Sequence, residues 1–418
     1  MTKYSGYAVG VLLVAAGMAG AAATDLVPID PGTASRIRAA KDQIAKSPAQ
    51  PDGYLSLALA LVKAARATDS AEYLNQAEKA VADSLRVAPD SFEAHKALVA
   101  VRLAQGRYTE ALREAQALNR KVPDDNQLYG YLADAQMALG DYAAAEKSAQ
   151  WMIDQHPVNA PGLQRGAELR DYFGYSQPSL EWWNSSLRIT SSADAEERAW
   201  ILVNMSRVAM RMGKATDAEK SARQALDLVA SYPLASDALA AALLAQDHAG
   251  DAADVLRRRL SVAPNVRAEF HFAEALDALA EKTEAAAAFE RFEKGAVARV
   301  SQPDHANREL IEYYATHGRA DEAVKLAGQE VQRRQDIATL SAYALALTAA
   351  GKYREARVQM DRALEPGIRD AKLFLQAALI ASKLNDKASA AKYFKQAIEI
   401  NASSPEAGKA IQLLANLS

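Results

Sequence analysis

One block of residues recurs along the chain at a spacing of about 34 residues, and no other feature restricts the fold as strongly. In each copy an apolar residue beside a small one precedes Gly, a charged residue and often Tyr. Ala follows a few positions on, then an apolar or aromatic residue, another small residue and finally Pro. The clearest copies are Leu98–Pro123 (LVAVRLAQGRYTEALREAQALNRKVP), Leu132–Pro157 (LADAQMALGDYAAAEKSAQWMIDQHP) and Tyr343–Ala363 (YALALTAAGKYREARVQMDRA). A period of this length means one supersecondary unit repeated and stacked, because a single unit cannot bury its hydrophobic face alone.

The positions within the block have physical tasks. Ala111, Ala145, Ala218, Ala252, Ala323, Ala356 and Ala390 open the second helix of successive units, where a small side chain lets two antiparallel helices approach closely. Gly106, Gly140, Gly174, Gly213, Gly318 and Gly351 stand where a first helix ends, at the position that takes a left-handed backbone. Pro89, Pro123, Pro157 and Pro264 close second helices, since proline cannot continue one. At these residues the chain resembles the tetratricopeptide repeat, a helix–turn–helix unit of about 34 residues. The resemblance covers roughly residues 50–402. It implies an all-α fold, a right-handed superhelical solenoid of about ten such units with N- and C-terminal capping helices.

First helices are expected to begin near residues 52, 91, 126, 160, 199, 233, 266, 304, 337 and 371. Some units depart from the pattern. Unit 1 reads as carrying a longer loop between its helices, Ala67 to Tyr73. Unit 4 has Ser179 beside Pro178 in place of the alanine, and unit 7 has Ala280 where glycine is usual. Units 5, 7 and 8 lack the closing proline. Thr33–Ser47, with Ile37, Ala40 and Ile44 on one face, reads as a helix covering the first unit. Ser404–Leu417, led by Ser404-Pro405-Glu406, reads as a final helix with Pro in its first turn. The expected organisation is a leader at 1–23, a lead-in and N-terminal cap at 24–50, the repeat array at 51–403 and a C-terminal cap at 404–418. In such an array each unit is expected to touch only its neighbours.

Charge and composition narrow the function classes. The 49 basic and 52 acidic residues are intermixed, so no basic stripe of the kind that binds nucleic acid is formed. No polybasic cluster flanks an apolar segment, which argues against an electrostatic membrane patch. The chain has no cysteine, which excludes disulfides, thiolate metal sites and a cysteine nucleophile. Lys3, the apolar stretch Tyr7–Met18 and the small residues Ala19–Ala23 read as a secretory signal cleaved after Ala23. The stretch is shorter than the roughly 20 residues of a spanning helix, and an uncleaved N-terminal anchor is the alternative. Without a cysteine after the small residues, a lipoprotein is ruled out. The chain is therefore expected to be exported, to the periplasm or beyond, without membrane insertion once the leader is removed.

No catalytic signature is present: the chain contains no H-E-x-x-H, G-x-S-x-G, Walker A or G-x-G-x-x-G motif. The six histidines fall at no metal-ligand spacing. No catalytic residue, cofactor or metal is therefore assigned. A solenoid binds instead along the concave face lined by its first helices. By repeat register the candidate partner-binding residues are Lys96, Asp134, Glu168, Asp171, Trp200, Arg207, Glu274 and Asp277. Acidic and amide groups outnumber basic ones along that face, which suits a basic or amide-rich peptide segment. A lysine–asparagine clamp for a partner's C-terminal carboxylate, known in this family, is not supported, because Ala100 stands one turn after Lys96. All four tryptophans, Trp151, Trp182, Trp183 and Trp200, fall within residues 151–200. Trp183 occupies a core register, while the others suit either packing around the irregular fourth unit or recognition.

The resemblance and the leader together imply a non-catalytic protein–protein interaction scaffold of the cell envelope, holding a protein or peptide partner. A glycan-binding accessory in exopolysaccharide or cell-wall assembly is the second reading, motivated by export and clustered aromatics, and an enzyme is the last.

Overall fold

The computed structural model describes residues 29–302, 307–400, 402 and 405–416. The expected leader and nearly all of the lead-in lie outside the described residues. Among those described there are 22 helices and no strand. A capping helix α1 (Pro31–Lys46) precedes ten helix pairs. The first five pairs are α2 (Asp52–Thr68) with α3 (Ala71–Val87), α4 (Phe92–Ala104) with α5 (Tyr108–Lys121), α6 (Asn126–Leu139) with α7 (Tyr142–Gln155), α8 (Ala160–Tyr172) with α9 (Ser176–Ile189), and α10 (Ala195–Arg211) with α11 (Ala215–Leu228). The next three are α12 (Pro233–Leu244) with α13 (Ala249–Val262), α14 (Val266–Ala278) with α15 (Lys282–Val297), and α16 (Asn307–Thr316) with α17 (Ala320–Arg333). The last two are α18 (Ile337–Ala349) with α19 (Tyr353–Leu364) and α20 (Ala371–Lys383) with α21 (Lys387–Ile400), and α22 (Pro405–Ala415) closes the array. The fold is a right-handed superhelical solenoid of paired helices, and no helix among the described residues is long and apolar enough to cross a membrane.

The turn inside every unit is built alike. The six glycines named above all have positive φ, and the other four units place Asp69, Asp247, Ala280 and Asn385 in the same left-handed conformation. A non-glycine residue there accepts a steric cost so that the helix can end in the αL form. Five positions after each of these residues comes the side chain that meets the first helix: Ala in eight units, Ser179 in unit 4 and Leu74 in unit 1. All ten are buried. The turn of unit 1 is no longer than the others, because α2 runs on to Thr68 and α3 starts at Ala71. The longer loop expected there is corrected: Asp69 takes the left-handed place that glycine holds in most units, so the turn lacks the usual mark in the sequence.

Two first helices are longer than the rest, α2 and α10 at 17 residues each. Helix α10 begins at Ala195, a turn before the expected start. Asp194 caps it by accepting a hydrogen bond from the Glu197 N–H at 3.2 Å, and Glu196 and Glu197 favour the positive helix N-terminus.

The solenoid closes on itself. Unit 3 docks on the loop after unit 8: the Gln335 N–H donates to the Leu139 carbonyl at 3.1 Å, and the Ile337 N–H donates to the Tyr142 hydroxyl at 3.0 Å. In unit 4, a Cβ added at Gly174 would lie 2.4 Å from the Gly367 carbonyl oxygen, in the loop after unit 9. Asp69 in unit 1 pairs with Arg259 in unit 6. The relationship is constant: a turn in one unit meets the end of the unit five further on. Met137, Tyr142, Leu169 and Tyr172 share one apolar cluster with Val331, Ile337, Leu340 and Ile368. The expectation that units touch only their neighbours is overturned, because the superhelix is tight enough for successive turns to pack together.

Candidate functional site

Counting back from the left-handed residue of units 1 and 4, the positions ten, six and three before it share one face of the first helix, and five of these six residues line the inside of the superhelix. In unit 4, ahead of Gly174, these are Gln164, Glu168 and Asp171; in unit 1, ahead of Asp69, they are Leu59, Lys63 and Arg66. The spacing of four and then three residues keeps them on one helical face. Because successive superhelical turns are in contact, this face encloses space rather than an open groove. A cleft of about 640 Å³ lies among α2, α4, α6, α8 and α10, within the usual size range of ligand clefts, about 300–1,000 Å³.

One wall of the cleft is a cluster of ion pairs between unit 1 and unit 5. Arg66 contacts Glu196 at 2.5 Å and Glu197 at 2.6 Å, and Lys63 pairs with Asp194. Glu196 is fully buried and also accepts from the Tyr232 hydroxyl at 2.9 Å. Burial pushes the Glu197 carboxyl up, but the charge and hydrogen bond of Arg66 outweigh it and hold the group below its ordinary value. The opposite wall carries Arg165, whose guanidinium donates to the Gly130 carbonyl at 2.9 Å and to Asp134 at 2.5 Å. Glu168 lies at the inner end, where burial raises its carboxyl to about 7, and it accepts from the Tyr172 hydroxyl at 2.8 Å. Gln127, Gln164, Tyr131 and Trp200 lie in the lining with the apolar Leu59, Val62, Met152 and Pro161, and the Arg66 guanidinium is 5.1 Å from the Trp200 ring centre. The lining is therefore mixed, apolar side chains alternating with polar ones, and Lys63, Arg66 and Arg165 find their acids within the protein.

Of the eight candidate residues, Asp134, Glu168 and Trp200 line this cleft. Asp171 is buried against Arg211, and Arg207 is half-buried with its guanidinium 3.2 Å from the Asn204 side-chain oxygen. Lys96 is buried between Asp125 at 2.8 Å and Glu93 at 3.0 Å. Glu274 lies in the second superhelical turn beside His271 at 3.2 Å, with its carboxyl raised by burial to about 6. Asp277 is exposed. The structure therefore brings three of the eight together, and two of the acids, Asp134 and Asp171, are paired with Arg165 and Arg211 from the next unit.

Sequence reasoning missed Lys63, Arg66, Tyr131, Arg165 and Glu197. The signal for Lys63 and Arg66 was present, since they occupy the register of Glu168 and Asp171. That register is visible only with Asp69 at the turn of unit 1.

Each tryptophan is engaged by the protein itself. Trp183 is 1% exposed and meets the Trp200 ring edge-on at 5.5 Å. Trp151 stacks on Tyr129 with ring centres 3.8 Å apart. Trp182 packs against Gly166, where an added Cβ would lie 2.4 Å from its ring, and Arg170 covers it at 3.3 Å. The cluster fills the junction between units 3 and 5 around the irregular Ser179.

The family model for the tetratricopeptide repeat matches the chain at residues 55–126 and 96–160. No curated protein matches it. Among solved structures it is similar to TTC0263, a thermophilic TPR protein of Thermus thermophilus, at 22% identity and a TM-score of 0.41, over 44% of this chain and 99% of that one. PilW, a type IV pilus biogenesis factor, aligns at 16% identity and a TM-score of 0.41, over 50% of this chain and 92% of that one. The APC/C hetero-tetramer Cut9–Hcn1 aligns at 12% identity and a TM-score of 0.45, over 90% of this chain but only 59% of that one. With the family's motif matched over residues 55–160 and the same left-handed turn repeated in all ten helix pairs, the first units are tetratricopeptide repeats and the helix-pair fold continues through the array.

Proposed function

We propose that this chain is a non-catalytic interaction scaffold of the cell envelope that holds a segment of a protein partner in the cleft enclosed by units 1–5. A tetratricopeptide-repeat fold suggests protein–protein interaction, and fold alone does not name the partner. The observation that carries the reading is the cleft itself: about 640 Å³, lined from five first helices by apolar side chains interleaved with amide, aromatic and paired charged groups. Such a lining offers backbone-like donors and acceptors to an extended chain. The non-catalytic part rests on how the raised carboxyls are used: Glu168 binds Tyr172, Glu274 binds His271 and Asp69 binds Arg259. The envelope location rests on the leader-like residues before Thr24. The glycan reading receives less support, because all four tryptophans are engaged within the protein.

A photo-crosslinking amino acid at Gln127, an exposed residue of the lining, tests the reading in the native cell. A discrete protein adduct in the envelope fraction is expected there, with none from the same group at Val358 on the outer surface. Equal labelling at the two positions would reject the cleft as the partner site.

A further inference from the structure

The contact between successive superhelical turns is made of two different materials. At units 3 and 4 it is apolar and close-packed: Tyr142, Leu169 and Tyr172 pack with Ile337, Leu340 and Ile368, and backbone meets backbone at Gly140 and Gly174. At unit 1 it is ionic. Lys63 and Arg66 reach across to Asp194, Glu196 and Glu197, Arg36 lies 3.9 Å from Asp194, and Asp69 meets Arg259. From unit 1 only the small side chain of Ala67 joins the apolar cluster of units 5–9.

We propose that the α2–α10 ion-pair cluster is a clasp, and that units 1 and 2 swing away from units 5 and 6 by opening it, with the apolar contact of units 3 and 4 as the fixed hinge. The two contacts differ in what separation costs. Pulling apart the apolar one exposes hydrocarbon to water with nothing in return. Pulling apart the ionic one returns Lys63, Arg66, Asp194 and Glu197 to water, and their hydration offsets most of the lost attraction. Glu196 keeps the Tyr232 hydroxyl as a partner. Lys63, Arg66, Glu197 and Trp200 form one wall of the 640 Å³ cleft, so opening the clasp opens that cleft from the side. This motion belongs to the chain itself, whether or not a protein segment occupies the cleft.

The absence of cysteine makes the test direct, since only introduced thiols take a spin label. Glu72→Cys with Ser192→Cys spans the clasp, and Lys147→Cys with Glu355→Cys spans the apolar contact; all four positions are exposed. Pulsed dipolar spectroscopy is recorded at about 0.1 M and about 1 M salt, between which the Debye length falls from about 10 Å to about 3 Å. The clasp pair is expected to show one distance at low salt and a second, longer one at high salt. In the Lys63→Glu, Arg66→Glu background the longer distance should dominate already at low salt. The apolar pair should keep one distance throughout, with helix content unchanged. A clasp distance that ignores salt would overturn the proposal, as would both pairs lengthening together, which means general loosening. If the charge-reversed protein does not fold, the salt series on the otherwise native chain decides alone.

Discussion

The backbone N–H of Gln335 donates to the carbonyl of Leu139 at 3.1 Å, joining residues 196 positions apart (335 − 139). This bond exists because unit 8 lacks a closing proline. In units 1, 2 and 3 the residue after the helix C-cap is Pro89, Pro123 or Pro157, which has no N–H to give. In unit 8 the same place is Gln335, and its free donor is used to tie two superhelical turns together.

Gly140 sits beside that bond and should tolerate no side chain. Its φ is +89°, and an added Cβ would lie 2.4 Å from the Gln335 carbonyl oxygen. Gly351 has φ +73° but open space around it. Gly351→Ala is expected to cost about 1–2 kcal/mol, the left-handed penalty alone. Gly140→Ala should cost several kcal/mol, because rigid backbone must also move. Chemical denaturation of the two variants measures the difference, and equal losses would mean that the close approach is not maintained in solution.

Ala145 packs in the cluster that spans units 3, 4, 8, 9 and 10. Ala145→Leu should cost roughly 1–3 kcal/mol by overpacking. In an array with neighbour contacts only, hydrogen exchange would loosen near units 2–4. Here faster exchange is expected in α17 and α18 as well, and its confinement to α4–α9 would contradict the packed turns.

Glu168 carries a pH signature with a definite sign. Its folded carboxyl is raised from 4.5 to about 7 by burial, with Tyr172 as hydrogen-bond donor and Asp134, Arg207 and Arg211 facing it. A raised value means that the folded state holds the proton more tightly than the unfolded state. The stability from this group is therefore fully present below about 4.5 and is lost as pH rises through about 7. The loss is on the order of 3 kcal/mol. Glu168→Gln removes the titration, so the variant should gain on the native protein between pH 4.5 and 8. Unfolding curves across that range that stay parallel for both proteins would show that Glu168 remains ionised.

The tryptophans should separate by burial. Trp183, almost fully buried, is expected to cost about 3–5 kcal/mol when replaced by alanine. Trp151 is half-buried and stacks on Tyr129, so Trp151→Ala should cost closer to 1 kcal/mol. Thermal melts rank the two, and a reversed order would mean that the junction around Ser179 is not packed as described.

Export is tested most simply by sequencing the N-terminus of the mature protein from an envelope fraction. A chain starting at Thr24 is expected. An intact Met1 in the membrane fraction would indicate an anchor instead.

Helix pairing needed only the sequence, because it is decided locally. Alanines where helices touch, glycines where a helix ends and prolines where the next begins placed the starts of α2, α6, α8, α12, α14, α18 and α20 at the expected residues. Capping and helix-face periodicity act over a few residues and leave a mark in those residues. The superhelical closure left no such mark. It depends on small rotations between units that accumulate over five of them, and no single residue encodes their sum. Only the tertiary structure could show that Lys63 and Arg66 meet acids about 130 residues away. It alone turned a register of acids along a supposed open groove into a compensated lining around a cleft. The absent proline of unit 8 was legible in the sequence, but its use was not, because a freed N–H has meaning only once Leu139 is brought within reach of it.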